Sequence, residues 1–133
     1  MNFQREMETI IANIPEGYVP RLLLHSCCAP CSSFVLECLT PYFSVTDYYY
    51  NPNITEKDEY EKRVAELRRF IDTFPVPNPV TFLEGAYEPA VYYDAVSGYE
   101  NEPERGKRCE ICFRLRLFEA ARKAKELNAD YFT

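Results

Sequence analysis

At 133 residues with 47% apolar content, the chain is long enough for one domain with a real core and too short for two. Charged residues make up 27% and aromatic residues 15%, which excludes an intrinsically disordered chain. The net charge of -6 repels a polyanion at long range, so nucleic acid is disfavoured as a partner unless positive charge gathers locally.

The opening MNFQREMETI has neither the apolar stretch of a secretory signal nor the acid-poor composition of a transit peptide, and no run reaches transmembrane length. The chain reads as cytoplasmic, without a membrane partner, in a compartment where thiols stay reduced. Phe3, Met7, Ile10, Ile11 and Ile14 recur at helical period before Pro15, so residues 1–20 form a leading helix and connector. Leu22 to His25 is a continuous apolar run suited to a buried parallel strand, and it leads straight into Ser26-Cys27-Cys28-Ala29-Pro30-Cys31. Ser32 or Ser33 can cap a helix through Leu39, with Pro41 ending it. Phe43 to Tyr50, rich in aromatic and β-branched residues, predicts a second strand, and Asn51-Pro52-Asn53 a loop.

Thr55 and Asp58 resemble a capping box opening a helix to Phe74, with Tyr60, Val64, Leu67 and Ile71 on one face. Pro75, Pro77 and Pro79 break it. Val80 to Leu83 predicts a third strand and Pro89 to Val96 a short helix, followed by a polar loop from Ser97 to Lys107. After Arg108-Cys109-Glu110-Ile111-Cys112 comes a helix with Leu115, Phe118, Ala121, Ala124 and Leu127 inward and Asn128 as its stop. Asp130 to Thr133 begins another strand, and an ending inside a strand predicts C-terminal truncation. This alternation predicts an α/β fold on a parallel sheet, residues 1–133 forming a single metal-binding domain. Ligand sites in such folds lie at the carboxyl ends of strands, where the first cysteine motif falls.

Six cysteines in a reduced compartment point to metal or redox chemistry rather than structural disulfides. Cys28 with Cys31 and Cys109 with Cys112 are C-x-x-C pairs, each able to place two thiolates on one metal centre. Cys27 adds a fifth sulfur, one more than a closed four-cysteine site requires, and suggests an open or second metal position. Both motifs precede a helix, whose N-terminal N–H groups favour ionised sulfur. Spacing leaves three readings open: an iron-sulfur centre, a zinc-stabilised four-cysteine binding module without catalysis, and a dithiol redox pair. Cys38, inside the helix after the first motif, reads as a small hydrophobe.

His25, the only histidine, stands beside the cysteines and reads as a core residue more readily than as a ligand or proton donor. No glycine-rich phosphate loop occurs, so the strand-loop-helix unit suits metal rather than nucleotide phosphate. Arg105, Lys107, Arg108, Arg114, Arg116, Arg122, Lys123 and Lys125 fall in one stretch that is either a basic binding face or a solvated helix face.

Three segments carry a resemblance: Leu24-His25-Ser26-Cys27-Cys28-Ala29-Pro30-Cys31; Tyr50-Asn51-Pro52-Asn53-Ile54 with Glu59-Tyr60-Glu61-Lys62-Arg63; and Arg108-Cys109-Glu110-Ile111-Cys112. In order and spacing they resemble the epoxyqueuosine reductase family of QueH type, from about Arg21 to Thr133. The resemblance implies a Rossmann-like three-layer fold similar to the adenine-nucleotide hydrolase-like, HUP-type group. It implies reduction of the epoxide of epoxyqueuosine in tRNA to queuosine, the last step of making that base. It also implies a 4Fe-4S cluster on Cys28, Cys109 and Cys112 with an additional mononuclear iron, Cys27 and Cys31 completing the cluster or holding that iron. An external electron donor and tRNA carrying epoxyqueuosine are the implied partners. Arg63, Arg108, Arg114 and Arg116 are candidate RNA-phosphate contacts; Tyr99, Arg105 and Lys107 could cover the nucleotide, and Tyr92 or Tyr93 could stack on its base. The departure is at the end: members continue through a Thr-rich strand, further helices and a late Cys-x-Cys segment, which this chain lacks.

Overall fold

The structure is a computed structural model and describes residues 2–133. In chain order it runs α1 Phe3–Ala12, β1 Arg21–Ser26, α2 Ala29–Leu39, β2 Ser44–Tyr49, α3 Lys57–Thr73, β3 Val80–Glu84, α4 Pro89–Ala95, α5 Lys107–Glu126 and β4 Tyr131–Phe132. The strands form a four-stranded sheet in the order β3-β2-β1-β4, and every pairing is parallel. The predicted α/β parallel-sheet class is therefore the observed one.

Alternation along the central strands sorts the core into two layers. Leu22, Leu24 and Val45 pack with Leu36 and Leu39 of α2, and Met7, Ile11 and Ile14 of the leading segment close over them. On the opposite face, Leu23 and Tyr48 pack against Ala120 and Ala124 of α5. A third group, Tyr49, Tyr60 and Leu67, seats α3 beside the end of β2. Leu23, Leu36 and Leu67 are fully buried, each contributing about 1.5–3 kcal/mol by leaving water.

This topology makes the site's address. β1 is central, with β2 on one side and β4 on the other, so the order reverses at β1 and a crevice opens beyond its carboxyl end. The residues that follow β1 there are Cys27 and Cys28.

Several element boundaries differ from the sequence expectation. The helix after the first motif starts at Ala29, with Cys28 as its N-cap residue, rather than at a cap on Ser32 or Ser33. Pro30 explains this, since its fixed φ suits a first helical turn and its missing N–H has no partner to lose there. Ser32 and Ser33 instead return their hydroxyls to the Cys28 and Pro30 carbonyls. The Thr55–Asp58 box does not form, because α3 begins later, with Glu56 at the cap and no side-chain capping bond.

The largest correction concerns α5. Its sheet-facing stripe is Cys112, Ala120 and Ala124, whereas Phe118 is 79% exposed and Leu127 is exposed. Alanines let the helix approach Leu23 and Tyr48 closely, which large side chains on that stripe would prevent. Ala124 faces inward as expected, and Leu115 and Ala121 are half-buried flanks. Asn128 ends the helix as expected, in the left-handed region at φ 55.

Candidate functional site

The first cysteine group is built by the β1–α2 turn. Cys27 is half-buried, Cys28 is the N-cap residue of α2 and Cys31 is exposed in the first helical turn. Burial, with Cys28 and Cys31 close by, pushes the Cys27 thiol up to about 11. Burial opposes ionisation of Cys28 as well, but the Cys31 backbone N–H and the Cys31 and Cys27 thiols outweigh it and lower this thiol below its usual range. The neighbouring Cys28 raises Cys31. Within this trio the structure favours the charge on Cys28.

The second group lies inside α5, not ahead of it. Because the helix begins at Lys107, Cys109 sits in its first turn and Cys112 one turn on, so only Cys109 stays near the N-terminal N–H groups. Arg105 adopts φ 68 and donates its backbone N–H to the Cys109 sulfur at 3.4 Å. A non-glycine residue in that region costs on the order of 1 kcal/mol, and here the conformation directs a donor at a thiol. Cys112 is buried on the sheet side, and burial raises its thiol.

Arg116 joins the two groups. Its guanidinium lies within electrostatic reach of Cys27, Cys112 and His25, opposing the rise of both thiols. It donates to the Cys112 carbonyl at 3.4 Å and has no carboxylate partner among the described residues. With His25, Cys27, Cys31, Phe113 and Leu117 it lines a cavity of about 660 Å³ at the carboxyl end of β1. That volume falls in the range of small-ligand pockets. A wider hollow of about 820 Å³ adjoins it along α5, sharing Phe113 and Leu117 and lined also by Arg105, Cys109, Arg114, Phe118 and Phe132.

His25 is half-buried at the end of β1, its ring held by a backbone contact. Its Nε2 lies 2.7 Å from the Tyr50 carbonyl oxygen, which can only accept, so Nε2 carries the proton and Nδ1 is left as the acceptor. Burial lowers its pKa, the Tyr50 carbonyl opposes this and Arg116 adds to it, so the ring is neutral at pH 7. Cys38 is half-buried in α2 and outside both groups.

Among the described residues, the basic stretch divides into paired and unpaired cations. Arg122 pairs with Glu119 and Glu126, Lys123 with Glu126 and Lys107 with Glu110, so that part is a solvated, self-neutralised helix face. Arg63 pairs with Glu59 at 2.8 Å and lies within reach of Cys27 and Cys28 from the α3 side. Tyr93 is 57% exposed and does not pack into the core.

Sequence reasoning missed a buried polar cluster behind the cysteines: Ser26, Asp47 and Asn51, with Tyr49 beside them. Ser26 Oγ donates to Asp47 Oδ1, and Asn51 Nδ2 donates to the Ser26 carbonyl at 2.8 Å. Burial pushes the Asp47 carboxyl up to about 6 against the opposing Ser26 bond. An aspartate alternating with Val45 and Tyr49 along β2 was the signal available.

For a metal or cluster the donor chemistry fits: two segments supply five thiols, the ligand type that soft metals and iron-sulfur clusters take, and Arg116 stands near one thiol of each segment, Cys27 and Cys112. Among the described residues no three His, Cys, Asp or Glu side chains are gathered into a metal-holding group.

Fold and site together define a parallel α/β protein with a thiol-rich site at the carboxyl end of its central strand. The family model described as epoxyqueuosine reductase QueH matches residues 22–133, and the chain belongs to that family. It is 43% identical, over 99% of its length, to an epoxyqueuosine reductase QueH of Streptococcus pyogenes, covering 53% of that protein. To the protein of the same name from Staphylococcus epidermidis it is 39% identical over 99% of its length, covering 58%. A Histophilus somni counterpart is 41% identical over 90% of the chain, covering 48%. The chain thus spans about half the length of the curated relatives it matches. No helix among the described residues is long and apolar enough to cross a membrane.

Proposed function

We propose that this chain carries the reaction centre of an epoxyqueuosine reductase, which converts the epoxide of epoxyqueuosine in tRNA to queuosine in the cytoplasm. In this reading residues 1–133 act as one α/β metal-binding domain. Cys28, Cys109 and Cys112 hold a 4Fe-4S cluster, while Cys27 and Cys31 stand on the reacting side, completing the cluster or holding a mononuclear iron. The observation that carries the reading is the position of Arg116, within electrostatic reach of Cys27 from one motif and Cys112 from the other, on a cavity at the end of β1. Bound there, such a centre supplies electrons and a Lewis acid for the epoxide oxygen.

The balance defines the partners. Removing the epoxide oxygen as water breaks two C–O bonds, forms one C=C bond and consumes two electrons and two protons, so an external electron donor is required. The chain's own residues bind and orient. Arg116, without a carboxylate partner, offers a cation to an oxygen or phosphate in the cavity. His25 offers Nδ1 as an acceptor there. Arg114, which lines the adjoining hollow, offers a second cation for an RNA phosphate.

Anaerobic purification with iron and sulfide analysis and a visible spectrum tests the reading, repeated for Cys28→Ala and Cys112→Ala. Iron, sulfide and a broad band near about 400 nm that vanish in both variants support it. Stoichiometric zinc without sulfide overturns it in favour of a structural four-cysteine module.

A further inference from the structure

The turn that presents Cys27 and Cys28 is held from both sides by groups outside the thiol set. Ahead of it, Ser26 is bonded twice: its hydroxyl to Asp47 of β2, and its carbonyl to the Asn51 side chain at 2.8 Å. Behind it, the Cys28 carbonyl accepts from Ser32 Oγ at 2.8 Å and from Ser32 N at 3.2 Å. Ser26, Asp47 and Asn51 are all buried, the latter two completely.

Two features show that this cluster is not ordinary packing. Asp47 Oδ2 and Asn51 Oδ1 are buried without a hydrogen-bond partner among the described residues, each leaving a desolvation cost that an apolar residue would avoid. Asp47 also stands opposite Leu24 in the register, on the strand face otherwise filled by Leu22, Leu24 and Val45. Among the described residues the carboxylate's one hydrogen-bond partner is Ser26, the residue immediately before the first cysteine.

We infer that Ser26, Asp47 and Asn51 are positioning residues that clamp the Cys27–Cys28 turn, fixing where these thiols face the cavity. The loop Asn51-Pro52-Asn53 thereby becomes part of the site's support, since Asn51 holds the turn while the Tyr50 carbonyl just before it holds His25. Stability is given up inside the sheet so that the turn keeps one conformation, as a site requires when its reactive groups lie on a loop.

What the turn holds rests on the function proposed above, but the clamp is tested without it. The reduced, metal-free chain is alkylated over time, and modification of each cysteine is followed by peptide mass spectrometry, with the Cys27 rate divided by that of Cys109 as internal control. Ser26→Ala and Asn51→Ala are expected to raise this ratio about five- to tenfold, the local opening that loss of one buried hydrogen bond allows. Asp47→Asn, whose amide oxygen still accepts from Ser26, is expected to stay within about twofold of the parent. An unchanged ratio in Ser26→Ala and Asn51→Ala overturns the clamp, as does an equal acceleration of Cys109 or an Asp47→Asn ratio matching Ser26→Ala. Failure of the chain to take up iron would sink the proposed function and leave this result standing.

Discussion

Asp47 sits in an environment at odds with its chemistry. It is fully buried in the sheet, and burial raises its carboxyl to about 6, opposed only by the bond from Ser26. For an acid whose folded pKa lies above its unfolded one, the native state holds the extra proton between the two values. The contribution to stability is then complete below about pH 4 and is lost as the pH rises through about 6. Denaturation curves from pH 4 to 7 are expected to show the parent losing roughly 2–3 kcal/mol relative to Asp47→Asn across that window. Parallel curves for the two proteins would show that the carboxyl is not protonated in the fold. At the same scale, the charge preference among the thiols could not be read from C-x-x-C spacing. It depends on burial of Cys27 and on the Cys31 N–H close to Cys28, which only the placed turn provides.

Among the elements, α5 teaches most about what periodicity can and cannot say. A sequence reading follows large apolar residues at helical spacing, and along this segment it places Leu115, Phe118 and Leu127 inward. The helix instead turns its small residues to the sheet, because Tyr48 and Leu23 already fill the space and only alanine fits between. Ala120→Leu is therefore expected to lower stability by about 1–3 kcal/mol, measured by chemical denaturation. A change below about 0.5 kcal/mol would mean that α5 can ride outward. The same choice of face carries Cys112 toward the sheet and leaves Cys109 under the Arg105 turn, so helix packing decides how the second thiol pair meets the first. By contrast α3, with Tyr60 and Leu67 buried and Val64 and Ile71 half-buried, follows its sequence pattern because large apolar residues do face the core there.

For the whole molecule the contrast lies between a closed core and an open apolar flank. Leu36 is fully buried between helix and sheet, and Leu36→Ala is expected to cost about 2–5 kcal/mol. Phe118, 79% exposed on the flank of α5 near the hollow that Phe132 also lines, is expected to tolerate Phe118→Ser within about 0.5 kcal/mol. Thermal melts of the two variants check this, and a large loss in Phe118→Ser would show the flank to be covered in solution.

Strand and helix order, the parallel sheet, the leading helix and the thiol-bearing turn after β1 were legible in the sequence. Each follows from a local rule: apolar runs, helical spacing, proline as a stop, and a motif at a strand end. Family membership was likewise carried by residues contiguous in the chain, from Leu24 to Cys31 and from Arg108 to Cys112. Only the tertiary structure decided which side of α5 meets the sheet, which arginine stands between the two thiol groups, and that Ser26, Asp47 and Asn51 meet behind the turn. Those are pairings between distant residues, set by strand register and by the close approach of small side chains, and no local pattern encodes them.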